Sequence, residues 1–351
     1  MHTADKVFYP LLLFVPITFI GEYFGASSVL LFFLSALAII SLAKFIGEAT
    51  EELSVYTGTA LGGLLNATFG NATELIISFF ALQAGLIEVV KASITGSVLA
   101  NLLLVLGMAM FFGGLKHTVQ KFNVTAAKTS SSTLLLGLAA LIIPAIFLQT
   151  SNMVGTGTIQ DLSVIVAVFL IIAYGAGLIF SLWTHKHLYI QEVGKLTPNW
   201  SKWKSITILL LATIFVAFMS EILVGSIEPL VAHFGWSELF IGVVVIAILG
   251  NAAEHASAVT VAIKNKMDLA FQISIGSAIQ IIMFVAPVLV LVSLFFTHQM
   301  SLVFNAFELV ALILSVIIVN AIVEDGESNW LEGLQLLICY MVDAADFFLH
   351  P

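Results

Sequence analysis

Long apolar runs separated by short polar connections dominate this chain. Stretches of about 20 apolar residues, enough for a helix to cross the hydrocarbon core of a bilayer, fall at residues 7–24, 26–46, 57–82, 88–113, 124–149, 160–184, 205–226, 237–262, 269–297, 301–322 and 330–348. The pattern predicts an all-α membrane protein with eleven transmembrane helices. Lys6 before the first apolar core and Ala26-Ser27-Ser28 after it give that run the outline of a secretory signal. Its interior Pro10 and Pro16, and the immediate start of the next span, favour its retention as an N-terminal transmembrane helix. Residues 185–204 are hydrophilic and read as a cytoplasmic linker, a loop or a short surface helix.

Two of the apolar runs are interrupted by the same pentapeptide pattern, Gly70-Asn71-Ala72-Thr73-Glu74 and Gly250-Asn251-Ala252-Ala253-Glu254. A shift of 180 positions aligns residues 62–105 with 242–285 without a gap and leaves nine of 44 positions identical. The matched positions include Gly62/Gly242, Gly70/Gly250, Asn71/Asn251, Glu74/Glu254, Gly96/Gly276 and Ser97/Ser277, with Glu48/Glu228 upstream. The same shift carries span two onto span seven and span six onto span eleven. Residues 1–25 are therefore an added helix, 26–184 a first five-helix repeat and 205–351 a second. An odd number of spans per repeat makes the two copies inverted, a construction typical of secondary transporters with a site near the bilayer midplane.

Composition agrees. The chain is 60% hydrophobic and 9% charged, with a mean hydropathy of +1.11, far from a soluble domain of this length. All 12 basic side chains are lysines. With eleven crossings, every lysine except Lys91 falls on the N-terminal side, which places the N-terminus in the cytoplasm, the C-terminus outside and the protein in the cell membrane. Nine acids against Lys91 make the outer face negative, a field that concentrates cations. A net charge of −9 without a basic cluster excludes nucleic acid as a partner. Cys339, the single cysteine, reads as a packing residue. Homo-oligomerisation is compatible with the sequence and not specified by it.

An ionisable side chain in hydrocarbon costs about 2.5–3.5 kcal/mol on insertion scales, so Glu74 and Glu254 mark a functional site. Gly62, Asn66, Gly70 and Glu74 recur at every fourth residue, along one helical face. Ser93, Ser97 and Asn101 form a stripe in the fourth span, and Gly276, Ser277 and Gln280 another in the ninth. Candidate metal ligands are Glu74, Glu254, Asn71, Asn251, Ser97, Ser277 and Gln280. The serines also suit helix packing, and the two asparagines also suit hydrogen bonds across helices. Candidate proton-coupling groups are Glu74, Glu254 and His255, although His255 points about 100° away from its neighbour on a helix. Carboxylate, carboxamide and hydroxyl oxygens select Ca2+, Mg2+ or Na+ over softer metals. Two carboxylates balance one divalent charge, and when the ion leaves they repel and take up protons. Competition at such a shared site, combined with rocking of inverted halves, gives antiport. No GxxxxGK[ST] motif supplies ATP chemistry, no HExxH spacing supports a metalloenzyme, and no cofactor is implied. Glu48, Glu51 and Glu52 form a cytoplasmic acidic group, either a solvated face or an ion sensor.

Residues 62–76 (GGLLNATFGNATELI), 94–107, 220–230, 248–258 and 273–287 resemble the two repeats of the calcium/proton exchangers, within the cation/Ca2+ exchanger superfamily, and most resemble the bacterial ChaA-type antiporters. The resemblance covers residues 26–350. It implies calcium efflux driven by protons, shared calcium and proton sites at Glu74 and Glu254, helices kinked at Gly70 and Gly250, and gating by spans two and seven. Sodium-driven members of the superfamily resemble the chain less, because they carry Ser-Pro-Glu-type sequences at these positions. Sodium/calcium exchange is the alternative within the superfamily, and a passive cation channel is a more remote one.

Overall fold

A bilayer offers no hydrogen-bond partners to a peptide group, so an apolar chain closes its backbone bonds within helices. The computed structural model describes residues 5–150, 156–186 and 198–349, and nearly all of these residues are helical. In chain order the helices are α1 (Phe8–Tyr23), α2 (Ser28–Phe69), α3 (Ala72–Gln83), α4 (Ile87–Lys116), α5 (Val124–Thr150), α6 (Gly157–Thr184), α7 (Lys202–Phe234), α8 (Glu238–Gly250), α9 (Ala252–Ile263), α10 (Met267–Ser293), α11 (Ala306–Ile322) and α12 (Trp330–Leu349). Six segments are long and apolar enough to cross a membrane by themselves, the first of them Ser28–Gly58 within α2. The bent pair α8–α9, which turns through 56°, makes a seventh when counted as one span.

Several expected spans are subdivided. Leu12-Leu13 interrupt the first, two residues beyond Pro10, whose ring cannot continue a helical hydrogen-bond ladder. Gly58 (φ 79, ψ 174) bends α2, a conformation that glycine adopts without the Cβ penalty of other residues. The run expected at 301–322 begins its helix only at Ala306. There Asn305 and Glu308 form a reciprocal capping box that fixes the start. One correction to the all-helical expectation is a two-residue antiparallel pairing, Gln120 with Ser328 and Lys121 with Glu327. It joins two polar connections at one end of the bundle. Most of the hydrophilic linker, residues 187–197, lies outside the described residues.

Helix α2 packs along α7, and α1 packs against both. Phe19 stacks edge-on with Phe215 and Phe218, and the Ser41 hydroxyl donates to the Phe8 carbonyl oxygen (2.8 Å). Helix α4 is the most buried of the long helices and touches α8, α10, α11 and α12. Small residues let it do so. A methyl at Gly333 of α12 would sit 2.2 Å from the Phe111 amide nitrogen of α4, so the two backbones are in direct contact.

Candidate ion-binding site

Both copies of the pentapeptide break their helices. Gly70 and Asn71 form a turn between α2 and α3, and Asn251 forms one between α8 and α9. Asn71 (φ −106, ψ 31) and Asn251 (φ −88, ψ 11) leave the helical region. Glu74 and Glu254 consequently lie in the first turns of α3 and α9. The unsatisfied N–H groups and positive dipole ends of these helices surround the carboxylates. The carbonyl ends of α2 and α8 reach the same breaks and offer freed oxygens to a cation. The expected single face running from Gly62 to Glu74 does not exist as one face, because Glu74 belongs to a separate helix beyond the break.

Side chains from four helical regions lock the breaks together. The Asn101 amide of α4 donates to Asn251 Oδ1 (2.6 Å), to Ser277 Oγ of α10 (3.2 Å) and to the Ser97 carbonyl oxygen (3.0 Å). Asn251 Nδ2 donates to Ser97 Oγ (3.1 Å), and Ser277 Oγ donates to Asn71 Oδ1 (2.8 Å). All five residues are buried. The sequence-predicted Asn71, Asn251, Ser97 and Ser277 are thus brought together, and both asparagines make cross-helix bonds. Asn101, placed on the Ser97 stripe by its i,i+4 spacing but not among the candidate ligands, is the hub. Its repeat partner is Ile281, so the repeat gave no signal for it. Asn101 Oδ1 remains buried without a partner among the described residues.

The carboxylates complete the arrangement. Glu74 is 3% exposed, and neither of its oxygens has a hydrogen-bond partner; Glu254 Oε2 is likewise buried without one. The two groups lie within electrostatic reach of each other. Gly250 makes room for Glu74, because a methyl there would sit 2.8 Å from Glu74 Cγ. Two unpaired carboxylates in a buried setting are costly as a dianion, and either a divalent ion or protons remove that cost. Among the described residues no three His, Cys, Asp or Glu side chains gather as a metal-holding group. The remaining donors here are neutral amide, hydroxyl and carbonyl oxygens, a set suited to a hard ion that must also leave.

Glu254, Gln280, Asn71 and Ser277 line a cavity of about 580 Å³. Its other walls come from Ala43, Gly47 and Glu51 of α2, Thr129 to Thr133 of α5, and Tyr174 to Leu182 of α6. Its α5 and α6 walls lie near the start of α5 and the end of α6, the helix ends that adjoin polar connections. Glu74 is not part of its lining. Neither is His255, whose Nε2 is buried without a partner elsewhere in α9.

The sequence profile described as sodium/calcium exchanger protein matches residues 27–183 and 204–345. The chain belongs to this family. The match stops and resumes around the hydrophilic linker, so both halves carry the family pattern. A relative named Ca(2+)/H(+) antiporter from Aphanothece halophytica is 48% identical over all of this chain and 98% of its own length. The Ca(2+)/H(+) antiporter ChaA of Bacillus subtilis strain 168 is 48% identical over 95% of this chain and 96% of its own. A solved structure, native YfkE, superposes with a TM-score of 0.87 at 45% identity, covering 98% of this chain and all of that one. In this family member the two helix breaks, and the carboxylates that follow them, are the features that set its chemistry apart from an ordinary helical bundle.

Proposed function

We propose that this protein is a secondary antiporter that expels cytoplasmic Ca2+ in exchange for external H+ at a site shared by Glu74 and Glu254. The observation that carries the reading is one unpartnered carboxylate at the start of each broken half-helix, 180 positions apart, with Glu254 facing a cavity open at one end. Homologues of 48% identity named Ca(2+)/H(+) antiporters support the choice of ions. In this reading eleven helices cross the membrane, as α1 and two inverted repeats, residues 26–184 and 205–351. The lysine distribution supports a cytoplasmic N-terminus, and the cavity then faces the cytoplasm.

The cycle follows from charge. Ca2+ enters the cavity, displaces protons from the two carboxylates and forms a near-neutral centre with Asn71, Asn251, Ser97, Ser277 and Gln280 supplying further oxygens. The neutral complex reorients, Ca2+ leaves to the other side, and protons neutralise the dianion for return. The bare dianion does not reorient, which enforces exchange rather than leak. The amide network centred on Asn101 holds the breaks in register during the exchange.

Calcium flux into everted vesicles, with a proton gradient imposed, tests this directly. Glu74→Gln and Glu254→Gln each lose proton-coupled flux by at least about 100-fold, because one carboxylate can neither balance the divalent charge nor carry two protons. Retained coupled flux in either variant overturns the assignment, and Ca2+ movement driven by a Na+ gradient at clamped pH replaces the proton with sodium. The pH dependence has a definite sign. Protons compete with Ca2+, so the apparent KM for Ca2+ rises as pH falls, by up to about 100-fold per unit once both carboxylates are protonated in the ion-free site.

A further inference from the structure

Three acids lie within five positions of α2, and the structure gives each a different setting. Glu48 forms an ion pair with Lys44. Glu52 accepts hydrogen bonds from the Asn199 backbone (2.8 Å), the Asn199 side chain (2.9 Å) and the Trp200 backbone (3.1 Å), which fastens the end of the linker to α2. The Tyr56 hydroxyl reinforces that join by donating to the Trp200 carbonyl oxygen (2.5 Å). The Glu51 carboxylate has no hydrogen-bond or ion-pair partner among the described residues, and Glu51 is exposed and lines the cavity. It shares a helical face with Gly47 and Ala43, which line the same wall at four-residue intervals. Nothing lies within 4 Å of where a Gly47 side chain would begin, so the wall beyond Glu51 is open.

Among the described lining residues only Glu51 and Glu254 carry carboxylates, and none is Lys, Arg or His. The charged groups that act on Glu51 are Glu48, Glu52 and Lys44, and Lys44 is already paired. Among the described residues the charge at the mouth of the cavity is therefore negative, and Thr129, Ser130 and Thr133 line the same cavity. Low-dielectric walls concentrate such a field and raise the local cation concentration and the on-rate. We propose that Glu51 recruits divalent cations at the cavity mouth and sets how readily Ca2+ reaches Glu254, without holding the ion in the centre itself. This rests on the reading that the cavity is the cytoplasmic vestibule of the exchanger.

The test is calcium flux in proteoliposomes, measured from the cavity side at low and high ionic strength for wild type, Glu51→Gln, Glu51→Asp and Glu254→Gln. Glu51→Gln raises the KM for Ca2+ about 5- to 10-fold at low salt with kcat unchanged, the low end of what field focusing provides, since one charge of several is removed. The difference closes at high salt, where the Debye length falls to a few ångströms. Glu51→Asp keeps the wild-type KM. A merely structural role lowers kcat equally at both salts and is not rescued by aspartate. Either that pattern, or an unchanged KM in Glu51→Gln, overturns the proposal. If Glu254→Gln is inactive while Glu51→Gln has the wild-type KM, only the role of Glu51 fails. If Glu254→Gln retains coupled flux, the shared-site reading fails with it.

Discussion

The seam between α4 and α8 and the matching seam between α10 and the region after Gly58 in α2 are built from equivalent residues yet packed differently. At the first, a methyl on Gly96 would sit 2.0 Å from the Val243 carbonyl oxygen, and one on Gly242 would sit 2.5 Å from Ala92 Cβ. The backbones touch, and Glu74 is sealed nearby. At the second, Gly276 has nothing within 4 Å, and Gly63, the repeat partner of Val243, lies against Leu182 of α6 instead. There Glu254 lines the cavity. In the proposed antiport cycle, sequence-matched glycines in two such different settings belong to one state, and the other state exchanges the two seams. In that cycle glycine is needed at both places, because each in turn allows helix backbones into contact.

The closed seam is the easier one to break. Gly96→Ala forces α4 away from α8, an overpacking that costs about 1–3 kcal/mol. The expected outcome is a lowered melting temperature in detergent and at least about a tenfold loss of calcium flux, since the Asn101 network is carried by the same helix. Wild-type stability and flux in this variant would mean the contact at Gly96 is not a seal.

The open seam separates stability from transport. Gly276→Val adds a side chain where space is free, so the melting temperature stays within a degree or two of wild type. Transport nevertheless falls several-fold, because α10 can no longer close on the α2 segment. Thiol labelling of Ser257→Cys on the cavity wall, in a Cys339→Ser background, stays high whether or not Ca2+ is present. If Gly276→Val transports normally, the two seams do not alternate.

How much of this was legible in the sequence follows from the physics of each feature. The paired acidic site was visible because an acid after a glycine-asparagine pair is conspicuous in an apolar run and occurs twice, whereas the kinks at Gly70 and Gly250 were expected only from the resemblance to the calcium/proton exchangers. The π-helical turns at residues 100–105 in α4 and Ile281–Val285 in α10 stand almost 180 positions apart, but no residue type marks such a turn, so hydropathy could not reveal them. The role of Asn101 was hidden for a different reason. Only one repeat carries it, and its importance comes from three partners distant in sequence. The bend at Gly58 and the late start of α11 at Ala306 depend on local backbone and cap geometry, which hydropathy does not encode. The different packing of the equivalent seams was illegible because the matched residues are the same type in both repeats, and packing is set by their neighbours in space.

Leu182 sharpens the comparison with the smallest effect. It sits in a π-helical turn (Phe180–Thr184) at the end of α6, and its Cδ2 would lie 2.3 Å from a methyl at Gly63. It thus covers the surface of Gly63 that, in the proposed cycle, meets Gly276 when the cavity closes. In the proposed cycle this contact is given up when the cavity closes, so its loss acts as a differential term between the two states rather than on overall stability. Leu182 is half-buried, and truncation to alanine removes on the order of 1 kcal/mol of apolar contact. That shifts the equilibrium about fivefold toward the closed cavity. Labelling of Ser257→Cys should slow by up to that factor in Leu182→Ala, with the melting temperature little changed, whereas faster labelling would mean that Leu182 shields the cavity instead of propping it open.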